Sequence, residues 1–335
     1  MTVKITKPEI NVREQLSELK KPTGVAGEAM LRAETPQEQQ ALIGVGRRNL
    51  IINGDFDVWQ RGTSFSANAY TADRWFSSVG TVTKDGAALK HVSTTTDPYL
   101  LYKLEDVGNK LAGNKAVLSF YLKTSGSDNR LQYVTFSGTN YYHSQMYQLP
   151  SELEGYTHWV CPVEITSANT DMIRLVIELH NVSGHTSWLR KVQLELGKVA
   201  TPFEHRSYGE ELALCERYYQ KSYDKDAYVT GSTSLSTVGS VDHYGSSDAT
   251  NVLAQVYFRT QMRDAPTVTT YDPNSSNGGN AYAGRAYVAS NSGTASYNTT
   301  TNNIGSTGFR SYVPKNGAGW AAHRIIFQWQ AVAEL

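Results

Sequence analysis

Cysteine is scarce in this chain, which has only Cys161 and Cys215 among 335 residues. Two cysteines are too few for a disulfide framework, and they lack the paired spacing of a metal site. We therefore interpret both as packed thiols, with a single bridge between them as the alternative. At roughly 100–200 residues per domain the length predicts about two domains, each able to bury a core of its own.

The chain also lacks a net charge and any long apolar run. Lysine plus arginine and aspartate plus glutamate are balanced at 31 each, so no overall field would attract nucleic acid or an anionic bilayer. The opening "MTVKITKPEINVREQ" is too polar for a secretory signal, and no later run approaches the ~20 apolar residues of a membrane span. We expect a soluble protein made in a cytoplasm, with no nucleic-acid partner and no membrane insertion.

Charged residues are only 19% of the chain, whereas 21 tyrosines and 27 glycines are present. The second half is also rich in serine, threonine and asparagine. Tyrosine and threonine favour strands, and glycine, asparagine and serine favour turns. This composition predicts a β-rich protein with many turns rather than a helical enzyme.

Residues 1–48 differ from the rest of the chain because they carry helix signals. Asn11 can cap a first helix and Thr35 a second one, which has Pro36 at its first position. Isolated helices under ~12–15 residues are marginal in water, so these short helices must pack against something. We predict an attachment or oligomerisation segment, with a surface helix that caps the β domain as the alternative. The expected contact residues are Val12, Leu16, Leu19, Leu42 and Ile43.

From Asn49 onward apolar residues alternate with polar ones, the period of a half-buried strand. The clearest examples are "AVLSFYLK", "WVCPVEI", "DMIRLVIELHN" and "KVQLELG". Many short strands with turn residues between them predict an antiparallel, jelly-roll-like β-sandwich over residues 49–206. No period of ~20–50 residues repeats, which disfavours a solenoid.

A helix interrupts the β pattern at residues 207–224. Ser207 and Glu210 have the spacing of a capping box, and Leu212, Cys215 and Tyr219 follow on one face. We predict a linker helix between two β domains. Alternation returns near residues 252–258 and 325–333, which predicts a second, C-terminal β domain over 225–335 as the candidate receptor-binding part. The predicted fold class is therefore mainly β, preceded by a short helical segment.

The stretch "NLIINGDFDVWQRGTSF" begins the predicted sandwich. Residues 50–52 predict a strand buried on both faces, and Asn53 with Gly54 predicts a sharp turn. Phe56 and Trp59 then return to the core as anchors.

Trp75 has the same expected role as Trp59, with sugar stacking as the alternative for both. Arg61 and Asp73 are expected to pair and hold the loops together.

Motifs for catalysis are not evident. "GNKLAGNK" lacks the residue order of a phosphate-binding loop, and no nucleophile elbow occurs. The histidines at 158, 180, 185, 205 and 243 have no metal-ligand spacing. Glu154, Glu164 and Glu178 are candidates for a glycosidase pair only because they are carboxylates, since such a pair needs a separation of ~5–9.5 Å that a sequence does not show. We predict that the protein is not an enzyme.

Aromatic residues among small polar ones are the stronger functional signal. Exposed rings pack on the apolar face of a sugar, while amides and hydroxyls bond its hydroxyl groups. The alternative is that tyrosines in a β domain simply cover the sheets. The glycan-binding candidates, expected in loops, are Tyr141, Tyr142, Tyr147, Tyr282, Tyr287, Tyr297, Tyr312 and Trp320.

Several segments resemble bacteriophage tail-fibre and other receptor-binding proteins. They are "NLIINGDFDVWQRGTSF", "YTADRW", "VQLELGKVATPFEHRSYGEELALCERYYQKSY", "MRDAPTV" and the terminal "WQAVAEL". "EAMLRAETPQEQQALIGVG" is similar to the short helical element before receptor-binding domains of phage fibres, and the opening stretch is similar to the first strand of jelly-roll carbohydrate-binding modules. The resemblance covers most of the chain and is poorest over residues 275–310.

The resemblance implies a homotrimer in the virion tail, assembled in the host cytoplasm and attached to other phage proteins by its N-terminus. Its expected ligand is host cell-surface polysaccharide. A single shallow site of ~1 mM affinity, about −4 kcal/mol, would be strengthened ~10²–10⁴-fold by multivalency. The alternatives are a structural tail or capsid connector without receptor binding and, less favoured, a polysaccharide-degrading enzyme.

Jelly-roll sugar-binding modules often hold a structural calcium, and no other cofactor is implied. By this resemblance Asp55 or Asp57 and Glu195 could supply oxygen ligands. The sequence departs from the usual pattern because Gln193 stands where a second aspartate is common.

Overall fold

A computed structural model gives the fold of most of the chain after residue 47. The residues it describes are 48–66, 68–93, 99–105, 111–125, 133–136, 139–165, 172–178, 184–223, 241–244, 251–272, 283–290, 293–314 and 323–335. No helix within these ranges is long and apolar enough to span a bilayer. The predicted helical segment at residues 1–48 lies outside them, apart from Arg48.

The first part of the described chain forms strands that build two sheets. The strands are β1 (Ser64–Phe65), β2 (Ala69–Tyr70), β3 (Trp75–Ser77), β4 (Thr81–Asp85), β5 (Ala88–Val92), β6 (Tyr99–Glu105), β7 (Lys115–Thr124), β8 (Tyr133–Phe136), β9 (Thr139–Tyr142), β10 (Tyr147–Leu149), β11 (Thr157–Glu164), β12 (Met172–Glu178) and β13 (Thr186–Leu196). A short 3-10 helix, His143–Gln145, joins β9 to β10.

These strands pair antiparallel in a seven-stranded sheet, ordered β1-β4-β5-β13-β7-β11-β10, and a six-stranded sheet, ordered β2-β3-β6-β12-β8-β9. We call the two sheets together the sandwich. Alternate residues of their strands meet in one hydrophobic core, and the members on β7 are Ala116, Leu118, Phe120 and Leu122. This arrangement confirms the predicted antiparallel sandwich, because the period of two puts one apolar row of each strand inside.

The strands predicted from alternation near residues 116–123, 159–165 and 192–196 are confirmed as parts of β7, β11 and β13. Trp159, Cys161 and Val163 lie in the core, as expected. The backbone also confirms the strand predicted near residues 172–178.

The predicted strand at residues 50–52 is wrong. This segment is irregular and turns over residues 52–55, and it is held to β13 by side chains as well as by backbone bonds. The Asn49 carboxamide accepts from the amides of Ile51 and Leu194 at 3.0 and 3.1 Å and donates to the Val192 carbonyl at 3.1 Å. Because Asn49 satisfies these backbone groups, the segment needs no partner strand.

Other expectations for the opening stretch are confirmed. Asn53 turns the chain with φ 59°, and Phe56 and Trp59 are buried in the core. Trp75 is also fully buried, so anchoring is confirmed for both tryptophans and sugar stacking is wrong for both.

One α-helix follows the sandwich in the described part of the chain, α1 (Tyr208–Glu216). Ser207 caps it as predicted, and its side chain accepts from the Glu210 amide at 3.3 Å. The predicted apolar face is wrong in part, because Tyr219 belongs to a strand and the buried helical residues are Glu211, Cys215 and Glu216.

The buried helical carboxylates are tolerated because they have partners. Glu211 accepts from the Asn53 amide and pairs with Arg206 at 3.3 Å, while Glu216 pairs with Arg259 at 3.5 Å.

The rest of the chain forms a second set of sheets, which we call the C-terminal unit. Its strands are β14 (Tyr219–Lys221), β15 (Val241–Tyr244), β16 (Asn251–Tyr257), β17 (Thr267–Tyr271), β18 (Arg285–Ser290), β19 (Gly293–Asn298), β20 (Thr300–Gly305), β21 (Gly308–Pro314) and β22 (His323–Val332). Four of these strands, β14, β15, β17 and β18, pair with β22, and β16-β21-β20 form a three-stranded sheet.

A separate hydrophobic core lies inside the C-terminal unit. Ala254 and Val256 of β16 pack there with Phe327 and Trp329 of β22, which confirms the alternation predicted for both segments. The described residues between 283 and 310, expected to form turns or loosely held strands, lie mostly in paired strands. β18 pairs with β19, and β20 pairs with β21 with a register shift between Asn302 and Gly305.

Buried polar contacts join the sandwich to the C-terminal unit. Glu334, whose side chain is 5% exposed, pairs with Arg74 and lies 3.0 Å from Arg61. Arg61 also pairs with Asp73 at 3.3 Å, which confirms the predicted pair. Arg74 lies over the ring of Tyr218, with 3.5 Å between its guanidinium carbon and the ring centroid. We call Arg61, Asp73, Arg74 and Glu334 the junction.

Both cysteines are free and buried, so the alternative of a single bridge is wrong. Burial raises the pKa of Cys161 to about 12 and also raises the pKa of Cys215. Both groups are therefore neutral thiols at pH 7 that pack as small apolar side chains.

Candidate functional site

Among the predicted glycan-contact residues that the structure describes, Tyr142 is the most exposed, at the edge of the six-stranded sheet. This residue is 55% exposed. Tyr133 lies opposite it on the neighbouring strand β8, and the two ring centroids are 5.6 Å apart at an angle of 50°. The pair lies on the outer face of the sheet, because the intervening Val134 and Phe136 point into the core.

Uncharged polar groups surround this ring pair. The Thr135 hydroxyl donates to the Asn140 carboxamide oxygen at 2.7 Å, and the Gln145 carboxamide oxygen accepts from the Tyr142 amide at 2.9 Å. Asn140 and Gln145 are both exposed. Each oxygen accepts one bond inside the protein, and the NH₂ groups are available as donors to a ligand. We call Tyr133, Thr135, Asn140, Tyr142 and Gln145 the tyrosine edge.

The structure separates the other two candidates of this segment from Tyr142. Tyr141 packs against the sandwich core, and its hydroxyl accepts from the Glu164 amide at 3.2 Å. Tyr147 is 41% exposed but lies on β10 of the seven-stranded sheet, opposite Val160. The segment expected to be a loop therefore consists of a strand, a 3-10 helix and a second strand. It crosses from one sheet to the other, so Tyr142 and Tyr147 lie on different sheets.

The candidates in the C-terminal half are in strands rather than loops where the structure describes them. Tyr287, Tyr297 and Tyr312 are half-buried in β18, β19 and β21, and Tyr297 packs against the C-terminal core. The remaining glycan candidates, Tyr282 and Trp320, lie outside the described residues, as do the attachment candidates Val12, Leu16, Leu19, Leu42 and Ile43.

Sequence reasoning missed two exposed tyrosines of the described residues, Tyr208 and Tyr257, and the half-buried Trp188. Tyr257, at the end of β16, is 77% exposed. Trp188 is half-buried on the outer face of the seven-stranded sheet, where its neighbours on β5 and β7 are Lys90 and Lys123. A bulge in β13 after Arg190 explains why Trp188 was missed. Without the bulge, simple alternation would put Trp188 and Val192 on the same face of the strand.

The groups next to Trp188 on this face are mostly paired with one another. Arg190 makes two bonds to Asp55, of 3.1 and 3.2 Å. Tyr121 and His158 stack with centroids 4.3 Å apart, and burial lowers the pKa of His158. His158 is therefore neutral at pH 7.

The residues considered for calcium have other partners. Asp55 accepts from Arg190 and from the Lys191 amide at 3.1 Å, and Glu195 accepts from the Thr201 hydroxyl at 2.6 Å. Asp57 is exposed. Within the described ranges no three histidine, cysteine, aspartate or glutamate side chains are grouped to hold a metal ion, and calcium at Asp55, Asp57 and Glu195 stays a prediction.

Two of the three carboxylates considered for catalysis are described with their side chains. Glu154 and Glu164 are both exposed. Glu178 lies on β12, of which the backbone alone is described.

No model of a known protein family matches this chain, and no curated protein matches it. One similar solved structure is the CBM22-1 xylan-binding domain of Paenibacillus barcinonensis Xyn10C. The sequence identity is 13%, the match covers 42% of this chain and 99% of that chain, and the TM-score is 0.25. The tandem CBM22-1-CBM22-2 domain of the same protein matches at 11% identity, 82% and 96% coverage and a TM-score of 0.27. A Paenibacillus xanthan lyase matches at 17% identity over 76% of this chain and 25% of that chain, with a TM-score of 0.23.

Proposed function

We propose that this protein is a non-catalytic glycan-binding protein and that the tyrosine edge is one of its sugar-contact surfaces. The observation that carries this proposal is the exposed Tyr142 ring beside Tyr133, Asn140 and Gln145. An open ring offers a flat apolar face to a pyranose, and the two carboxamides offer donors to its hydroxyl groups.

The surface position of the ring pair favours binding over catalysis. Glycoside hydrolysis needs two carboxyl groups on either side of the scissile bond, whereas the tyrosine edge is built from uncharged side chains. Such a shallow site binds weakly, near the ~1 mM scale, so useful affinity requires several copies acting together.

The finer proposal is a phage tail-fibre protein that recognises host cell-surface polysaccharide. It is supported by the sequence resemblance of residues 49–65, 70–75 and 192–223 to phage receptor-binding proteins. In this proposal the protein is a homotrimer in the virion tail, and residues 1–48 attach it to other virion proteins.

Light scattering on the full chain and on a version starting at Arg48 tests whether the N-terminal segment is needed for assembly. A full chain that is a trimer and a shortened chain that is a monomer would support this role. Arg48 is kept because it donates to the Thr201 hydroxyl at 2.8 Å.

The junction favours a second candidate function, a structural connector of the tail or capsid. Buried ion pairs such as that of Arg74 and Glu334 hold the sandwich and the C-terminal unit in one relative position, as a load-transmitting component requires. A connector would bind protein partners and no glycan.

Affinity electrophoresis of the full chain in gels that contain neutral polysaccharides tests the tyrosine edge. The panel is xylan, β-glucan, mannan and bacterial O-chain polysaccharides. We expect retardation by at least one of them and about tenfold weaker retardation for Tyr142→Ala, which corresponds to ~1.4 kcal/mol of lost contact.

The matched control is Tyr257→Ala, which removes an even more exposed tyrosine ring from the C-terminal unit. It should bind as the unaltered protein does. Equal retardation of Tyr142→Ala and the unaltered protein would overturn the assignment of the site, and no retardation by any polysaccharide would favour the connector.

A further inference from the structure

The outer face of the seven-stranded sheet carries a second aromatic group with a different chemistry. We propose that Lys90, Trp188 and Lys123, together with Asp85, bind a saccharide that carries a carboxylate, namely a hexuronate residue. We call these four residues the Trp188 row. The inference does not depend on the tyrosine edge, which is on the other sheet.

The register of the sheet builds this row. Trp188 on β13 lies directly opposite Lys90 on β5 and Lys123 on β7, so the indole stands between two lysines. The Lys90 and Lys123 amines are 5.7 and 5.2 Å from the Trp188 ring centroid. The indole N–H donates to an Asp85 carboxylate oxygen at 2.9 Å, which fixes the orientation of the ring.

The two amines differ from the other cations beside them because they have no acidic partner within the described part of the chain. Arg190 pairs with Asp55 at 3.1 Å and Lys191 with Glu152 at 3.6 Å. Lys90 and Lys123 have no carboxylate within 4.0 Å among the described residues. Their contact with Trp188 is a weak cation–π interaction, and a carboxylate can add a stronger charge-assisted bond.

The charge of the row fits one carboxylate at a time. Two lysines and one aspartate sum to a single positive charge, and the adjacent Arg190–Asp55 and Lys191–Glu152 pairs are neutral. A dense polyanion such as nucleic acid would place phosphates against Asp85 and gain little from so small a net charge. A uronate residue carries one carboxylate per ring, so its charge matches that of the row.

The remaining groups of the row suit a sugar better than an acidic peptide. A pyranose presents apolar C–H groups, which can contact the part of the half-buried Trp188 ring that the two lysine side chains leave open. The second carboxylate oxygen of Asp85 has no donor among the described residues and can accept from a sugar hydroxyl. An acidic peptide side chain offers a carboxylate but neither the ring face nor the hydroxyl donors.

Isothermal titration of the full chain with uronate oligosaccharides tests the proposal. The probes are oligomers of galacturonate, mannuronate and hyaluronan, each compared with its methyl ester, in which the charge is removed and the ring kept. We expect at least one acid to bind at least tenfold more tightly than its ester. We also expect this difference to shrink at high salt because the amines are exposed to screening.

Two variants separate the charge from the ring. The double variant Lys90→Gln/Lys123→Gln should lower the affinity for the acid to that of the ester and leave the ester unchanged. Trp188→Ala should weaken both. Lys115→Gln removes an exposed lysine from the other end of β7 and should leave both affinities as they are.

Several results would overturn the proposal. These are equal affinity for acid and ester, no binding of any uronate, or an unchanged acid affinity in the double variant. Binding of poly-L-glutamate or single-stranded DNA with the same loss in the double variant would assign the row to another ligand class. Tyr142→Ala should leave uronate binding intact, so a failed tyrosine edge and a failed Trp188 row give different results.

Discussion

At the scale of single residues, Asn53 shows how a polar side chain can organise a buried turn. Its carboxamide donates to the carbonyls of Val58 and Asp73 at 2.8 and 3.0 Å and accepts from the Val58 amide at 3.0 Å. Its own carbonyl accepts from the Trp75 indole at 3.0 Å. Asparagine is one of the few residues other than glycine that tolerates φ 59°.

Asn53→Ala should lower the free energy of unfolding by about 3 kcal/mol, because it leaves buried backbone groups without partners. The matched control is Asn303→Ala, since Asn303 also has positive φ, 48°, but is exposed. The control should cost about 1 kcal/mol, from backbone strain alone. Urea unfolding of the two variants measures the difference, and equal losses would refute the role of the side-chain bonds.

Asp73 should make stability depend on pH. Burial raises its pKa to about 6, above the ordinary value of 3.8. Its contribution to stability is therefore full below about pH 3.8 and is lost as pH rises through about 6, a change of up to about 3 kcal/mol. The difference in unfolding free energy between the unaltered protein and Asp73→Asn should fall from pH 4 to pH 7. A difference that stays constant or rises over this range would contradict the pKa.

The sequence alone indicated some of these residues and not others. The Arg61–Asp73 pair is confirmed, and so is the burial of Trp59 and Trp75. These residues lie close together in the sequence, so the local pattern of polar and apolar residues was enough to predict their roles. The contact of Glu211 with Asn53 joins residues far apart in the chain, and a single sequence contains no signal for it.

At the scale of elements, the close approach of the opening segment to β13 depends on a glycine. The Gly54 carbonyl accepts from the Val192 amide at 2.8 Å. A Cβ atom on Gly54 would lie 2.2 Å from the Val192 carbonyl oxygen, a distance that real Cβ atoms essentially never show. The segment therefore packs against the bulged strand only if this position has no side chain.

Gly54→Ala should destabilise the protein by more than about 2 kcal/mol because it separates the segment from β13. The matched control is Gly209→Ala in α1, where a Cβ has nothing within 4 Å. The control should stabilise by about 0.5–1 kcal/mol, since alanine is the better helix former. Thermal unfolding measures both, and an unaffected Gly54→Ala would show that the segment can shift at little cost.

Most strands of the sandwich could be predicted from the alternation of apolar and polar residues. Which side of a strand faces the core could not always be predicted. The bulge in β13 follows from Lys191 with φ 48°, and "WLRKVQL" contains no glycine or proline to announce it. The Trp188 row was missed for that reason. The tyrosines were predicted as exposed from composition, and three of those in the C-terminal unit are instead half-buried in paired strands.

At the scale of the whole molecule, the junction connects the two halves through buried charges. The side chains of Arg74 and Glu334 are 1% and 5% exposed. Removing Arg74 leaves the buried Glu334 carboxylate with Arg61, at 3.0 Å, as its remaining cationic partner in the junction. Breaking a buried pair in this way costs more than losing an exposed one.

Arg74→Met should lower the unfolding free energy by about 3–5 kcal/mol and separate the melting of the two halves in calorimetry. Arg74→Met/Glu334→Leu, which removes both charges, should recover part of this loss. The control is Lys191→Met, whose partner Glu152 is 64% exposed, and it should cost less than about 1 kcal/mol. A single unshifted transition for Arg74→Met would show that the junction does not couple the halves.

The most direct test of glycan binding is an array of immobilised saccharides probed with the full chain displayed in several copies on streptavidin. We predict signals on a subset of saccharides, no release of reducing ends from them, and loss of signal in Tyr142→Ala or Trp188→Ala but not in Tyr257→Ala. An array without signal for a protein that calorimetry shows to be folded would contradict the account.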